Sequence, residues 1–156
     1  MAERGIRSAR DPDAMGQAML AARQAGEAGE VPVGAALVHA GEVIAAAGNR
    51  PRATSDPTAH AELVVLREGA RILGNERLAG CDLYVTLEPC TMCAAAISFA
   101  RIRRLYFGAA DPKGGAVENG VRFYEQPACH HAPEVYGGIR GSEAAALLRA
   151  FFAARR

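Results

Sequence analysis

The stretch "HAELVVLREGARILGNERLAGCDLYVTLEPCTMC", residues 60–93, constrains the chain more than any other. It sets His-x-Glu at one end and Pro-Cys-x-x-Cys at the other, with a strand-like run between them. Cys90 and Cys93 stand three apart at an expected helix start, so both thiols project to one side and can reach one ion. The partial positive charge at a helix N-terminus favours thiolates there.

Catalytic zinc keeps three protein ligands and an open fourth position, and two thiolates with a neutral imidazole make a net-neutral set. His60, Cys90 and Cys93 fit that count. Glu62, two residues past His60, can stand beside the open position without ligating. From there it could accept a proton from water and deliver it to a ring nitrogen and a leaving amine. Zinc brings the pKa of a water it holds down to about 7, so hydroxide is available at neutral pH. A lone Cys-x-x-Cys would equally suit a redox pair or half of a structural zinc site. With His-x-Glu upstream and proline before the first cysteine, the pattern matches the zinc-deaminase signature, which implies hydrolytic deamination.

A length of 156 residues suits one domain over 1–156, with 1–10 expected to be flexible. No apolar core follows Arg4, Arg7 and Arg10, as a secretion signal would require, and no apolar run is long enough to span a bilayer. A cytoplasmic location is expected, where four cysteines are more naturally metal ligands or buried thiols than disulfides. The net charge of +1 implies no long-range field for nucleic acid, although local arginines could still meet phosphates. With 6% aromatic residues, no base-stacking platform is obvious.

Asp11-Pro12 reads as a helix cap and first turn, followed by Met15, Ala18, Met19, Ala22 and Ala25 at helical spacing, with Gly26 and Gly29 as the stop. Residues 31–39 and 43–47 read as strands around a turn at Ala40-Gly41-Glu42, and 48–57 as a loop. Helices are expected over 58–73, 91–100 and 142–155, the last capped by Ser142, with strands over 82–87 and 104–108 and a loop over 111–120. Helices alternating with short strands argue for a three-layer α/β arrangement. Cys129-His130-His131 reads as a surface turn, Cys81 as a half-buried thiol and His39 as solvated.

"VPVGAALV", "NRPRATSDPTAHAEL", "LYVTLEPCTMCAAAI" and "RIRRLYFGAADPKGGA" together closely resemble the bacterial tRNA-specific adenosine deaminases, the TadA family, from about residue 13 to 155. The resemblance implies a cytidine deaminase-like α/β/α sandwich on a central mixed sheet of about five strands. It also implies a homodimer, and conversion of the wobble adenosine (position 34) of a tRNA anticodon to inosine with loss of ammonia; an arginine tRNA is the expected substrate. By matching motif positions it makes His60, Cys90 and Cys93 the ligands of one Zn2+ per subunit and Glu62 the proton carrier. Asn49 and the backbone at Ala61 would hold the flipped base, and Val33 would line the pocket. Asp111 and Lys113 would touch neighbouring anticodon nucleotides, and the terminal helix with Phe151 and Phe152 would approach the RNA. One of these two phenylalanines is expected in the core. An anticodon loop suits such a site because its unpaired bases splay out cheaply.

Arg101, Arg103, Arg104, Arg149, Arg155 and Arg156 are candidates for phosphate contacts. After the Gly-Gly the chain departs from the family, reading "VENGVRFYEQPACHHAPEVYGGI" where many members carry a Gly-Ser step and an Asn-His-Arg segment. The competing readings are a free nucleobase or nucleoside deaminase, acting on guanine or cytosine and sharing the zinc signature, and a zinc-stabilised RNA-binding module without catalysis. Glu62 counts against the second, because a structural site has no use for a carboxylate beside an open position.

Overall fold

Two glycines facing each other across a β-ladder decide how closely the first helix packs. In the computed structural model, which describes residues 13–155, helix α1 (Ala14–Glu27) lies on the hairpin of β1 (Gly34–His39) and β2 (Glu42–Gly48). Gly34 pairs with Gly48 in that hairpin. A Cβ at Gly34 would sit 2.0 Å from the carbonyl oxygen of Ala18, and one at Gly48 would sit 2.6 Å from that of Ala21. The helix backbone therefore rests almost directly on the sheet, which is why its buried face is alanine and methionine. The hairpin turn is Ala40-Gly41, both at positive φ, as a tight two-residue connection demands.

The remaining elements are α2 (Pro51–Thr54), α3 (Ala61–Leu73), β3 (Asp82–Leu87), α4 (Thr91–Phe99), β4 (Arg104–Ala109), β5 (Glu134–Tyr136) and α5 (Gly141–Ala153), with a 3-10 turn at Phe123–Glu125. The sheet order is β2-β1-β3-β4-β5. β1 is antiparallel to β2 and β3, whereas β3, β4 and β5 run parallel, so the sheet is mixed as expected. Alternating residues divide between its two faces. Ala35, Leu37, Leu83, Val85, Leu105 and Phe107 pack with α3 and α4, while Ala36 and Val38 pack with α1 and α5, completing the three layers.

Several boundaries differ from the sequence reading. Asp13 caps α1, its carboxylate accepting the Gly16 N–H at 2.9 Å; the expected cap at Asp11-Pro12 lies outside the described residues, as does Arg156. The 48–57 loop contains α2, started by Pro51. Helix α5 begins at Gly141 after Arg140 in the left-handed region, with no side-chain cap from Ser142. Strand β5, only three residues long, carries too little pattern to be seen in the sequence; its parallel pairing with β4 creates it.

Candidate metal centre and active site

The mixed topology brings distant segments to one edge of the sheet. β3 and β4 are parallel, so the Cys90 turn and the Asp111 loop leave from the same end. β1 runs the opposite way and begins there at Gly34, just after Val33; β2 ends there at Gly48, just before Asn49. Helix α3 starts from the same edge, with His60 in its cap position.

His60 Nδ1 lies 3.6 Å from Cys90 Sγ and 3.5 Å from Cys93 Sγ, and the three ligand atoms all fall within 4.8 Å of one another. A tetrahedral zinc with Zn–S of about 2.3 Å and Zn–N of about 2.0–2.1 Å requires N···S separations near ~3.5 Å, so the cluster fits the ion in size and donor type. Cys90 occupies the cap position of α4 and Cys93 sits one turn in, with Cys93 fully buried. The Cys93 thiol donates to Cys90, which together with His60 brings Cys90 down to about 4; that same bond and burial push Cys93 up. The bond to Cys90 also raises His60.

Glu62 is buried in the first turn of α3. Burial pushes its carboxyl up to about 7, against the pull of its own backbone N–H, and it lies within reach of both Cys93 and His60. Asn49 reaches across from the end of β2, its Oδ1 accepting the Ala61 N–H at 2.8 Å, while its own N–H donates to the Val33 carbonyl at 3.0 Å. Val33, Asn49, Ala61 and His60 thus form one connected rim.

Asp111 folds back on its own loop, its carboxylate accepting N–H bonds from Lys113 at 3.1 Å and Gly114 at 3.0 Å, and Lys113 is exposed. Phe152, Arg149 and Asp111 line one cleft with Val31, Leu87 and Leu148. Neither terminal phenylalanine is core: Phe151 is half-buried beneath the Arg155 guanidinium, and Phe152 is 47% exposed.

Arg101, Arg103 and Arg104 stand at the opposite end of the strands. Arg103 makes a two-pronged bond to Asp82 at 3.0 and 2.9 Å, and Arg104 pairs with Asp82 and Glu134. Arg103 and Arg104 close the far edge of the sheet rather than joining the site. Cys81 is fully buried, not half-buried, beneath the strand end it precedes. His131 bonds the Ile102 carbonyl at 2.7 Å and Cys129 donates to the His131 carbonyl, so that turn is tied to the fold. Among the described residues, His60, Cys90 and Cys93 are the one group placed to hold a metal. The sequence reading missed Glu88, a buried carboxylate hydrogen-bonded to residues of the 111–119 segment. Its signal was an acidic residue wedged between an apolar strand and the Pro-Cys step.

The profile of the cytidine and deoxycytidylate deaminase zinc-binding region matches residues 8–109. A tRNA-specific adenosine deaminase of Agrobacterium fabrum is 66% identical over 139 residues, covering 89% of this chain and 91% of the relative. A solved tRNA:A34 deaminase, studied for A-to-I editing at the wobble position of transfer RNA, superposes with a TM-score of 0.86 at 66% identity, over 86% of this chain and 98% of that one. The guanine deaminase from Nitrosomonas europaea superposes with a TM-score of 0.73 at 25% identity, over 90% and 83%. The chain therefore belongs to the tRNA-specific adenosine deaminases, within the cytidine and deoxycytidylate deaminase zinc-binding family.

Proposed function

We propose that this protein hydrolytically deaminates the wobble adenosine of a tRNA anticodon to inosine, releasing ammonia. The observation that carries the reading is a buried carboxylate, Glu62, beside a His-Cys-Cys cluster of zinc dimensions at the open edge of the sheet. His60 Nδ1 and the Cys90 and Cys93 thiolates would hold one zinc per subunit. Bound there, zinc would supply Lewis acidity, which brings the pKa of a water molecule down to about 7. Glu62 takes a proton from the attacking water and gives it to adenine N1, then carries the second proton, from the hydroxyl formed at C6, to the departing amino group, so that adenosine and water become inosine and ammonia.

Asn49, with its Oδ1 occupied by Ala61, offers its amide NH2 to an acceptor on the base. Val33 packs against the flipped ring, Asp111 and Lys113 meet flanking nucleotides, and Phe152 with Arg149 receives the anticodon stem-loop along the cleft. The tRNA-editing relatives support this substrate over a free base. An arginine tRNA in the cytoplasm is the expected substrate and a homodimer the expected working unit, following the family resemblance. Among the described residues no helix is long and apolar enough to cross a membrane.

The second reading, a guanine deaminase, has the shared fold in its favour. The deciding experiment incubates zinc-loaded protein with an arginine-tRNA anticodon stem-loop bearing wobble adenosine, beside free adenosine, guanine and cytosine, and assays products by mass spectrometry. Inosine in the stem-loop alone supports the proposal. Turnover of a free base with an untouched stem-loop overturns the substrate.

A further inference from the structure

Glu88 follows the last residue of β3 and precedes Pro89 and Cys90, and it is 2% exposed. Its Oε2 accepts the N–H groups of Val117 at 3.1 Å, Glu118 at 2.8 Å and Asn119 at 3.0 Å. Its Oε1 accepts the Asp111 N–H at 2.9 Å and the Asn119 side-chain amide at 2.7 Å. Every one of these donors belongs to the segment that carries Asp111 and Lys113. The next residue takes part as well, the Pro89 carbonyl accepting the Ala116 N–H at 2.9 Å. Gly115 passes so close that a Cβ there would lie 2.4 Å from the Glu88 carboxyl carbon.

A buried carboxylate without a cation is tolerable only when N–H groups surround it. Here they do so on both oxygens, which an amide could not match, because its NH2 would face one set of donors. Four of the five donors are main chain, so the bonds survive whatever side chains stand at 117 and 118. The divergent stretch begins within this anchored segment, and its departure leaves the anchor intact.

We propose that Glu88 is a positioning residue: it fastens the 111–119 loop to the turn bearing Cys90 and thereby sets the affinity for nucleotides flanking the reacting base. The inference rests on the tRNA reading of this site.

The test is Glu88→Gln in the full zinc-loaded chain. The amide keeps one set of donors and opposes the other, so the loop loosens. KM for the anticodon stem-loop should rise about tenfold while kcat stays within about threefold, the pattern of lost substrate binding. Zinc should remain stoichiometric, and hydrogen exchange should accelerate at amides of the 111–119 segment but not in α4. Asn119→Ala, which removes one donor and leaves the carboxylate, should move KM in the same direction by less, and serves as the test if Glu88→Gln does not fold. Unchanged KM, or loss of kcat together with zinc at constant KM, overturns the proposal. Failure of the wild-type protein to convert the stem-loop sinks the tRNA reading and the affinity claim with it. Exchange then still decides the anchoring, which falls if the 111–119 amides are as protected in Glu88→Gln as in wild type.

Discussion

The Ala61 N–H donates to Oδ1 of Asn49 at 2.8 Å, tying the end of β2 to the first turn of α3, one residue past His60. His60 occupies the cap position yet makes no side-chain capping bond, so Asn49 satisfies one of the helix's orphan donors from a distance in sequence. The residue expected to read the base is therefore also a strut of the metal cluster.

Asn49→Ala should lose both roles. Removal of a cap-like bond costs about 1 kcal/mol of stability, and loss of the base contact should lower kcat/KM for the stem-loop by about 100-fold. Urea melts and initial rates check the two effects separately, and a variant with wild-type kcat/KM would remove Asn49 from the substrate contacts.

Glu62→Gln keeps the shape of the buried side chain but cannot carry a proton. Turnover should fall by about 100-fold or more, with zinc content and melting temperature preserved. Elemental analysis beside single-turnover rates decides it, and undiminished turnover would exclude Glu62 as proton carrier.

Cys93→Ala removes a fully buried member of the cluster. Its zinc content should drop well below one per chain, and a chelator should lower the melting temperature of the wild-type protein but not of this variant, because a ligand that binds only the folded state stabilises it. Stoichiometric zinc in Cys93→Ala would strike Cys93 from the ligand set.

Arg149→Ala and Arg103→Ala should part company. Arg149 lines the cleft beside Asp111 and Phe152, whereas Arg103 is spent on Asp82 at the far end of the sheet. The first should raise KM for the stem-loop about threefold or more and flatten its salt dependence; the second should leave both alone. Equal effects from the two would misplace the RNA path.

Gly34→Ala tests the packing of α1. The added methyl would meet the Ala18 carbonyl at 2.0 Å and the Ala22 nitrogen at 2.6 Å, both backbone atoms that cannot swing aside. Destabilisation of about 3 kcal/mol is expected, a loss of roughly 6–12 °C in melting temperature at this chain length. Calorimetry showing a wild-type melt would mean that the helix rides further from the sheet.

By itself the sequence determined the candidate metal cluster and most of the elements, because those signals are local. His60 with Glu62, and Cys90 with Cys93, are close pairs at helix starts, so their spacing alone puts each pair on one turn. The five-strand mixed sheet was legible through family resemblance, while short β5 had no pattern of its own. Only the tertiary structure decided that Asn49 braces Ala61, that Glu88 holds the 111–119 loop, and that Arg103 and Arg104 close the far edge of the sheet. The physical reason is common to the first two: their donors are largely backbone N–H groups, which nearly every residue carries and no residue type announces. For the arginines, the end of a strand at which a charge falls follows from strand direction, and that emerges only when the sheet is assembled.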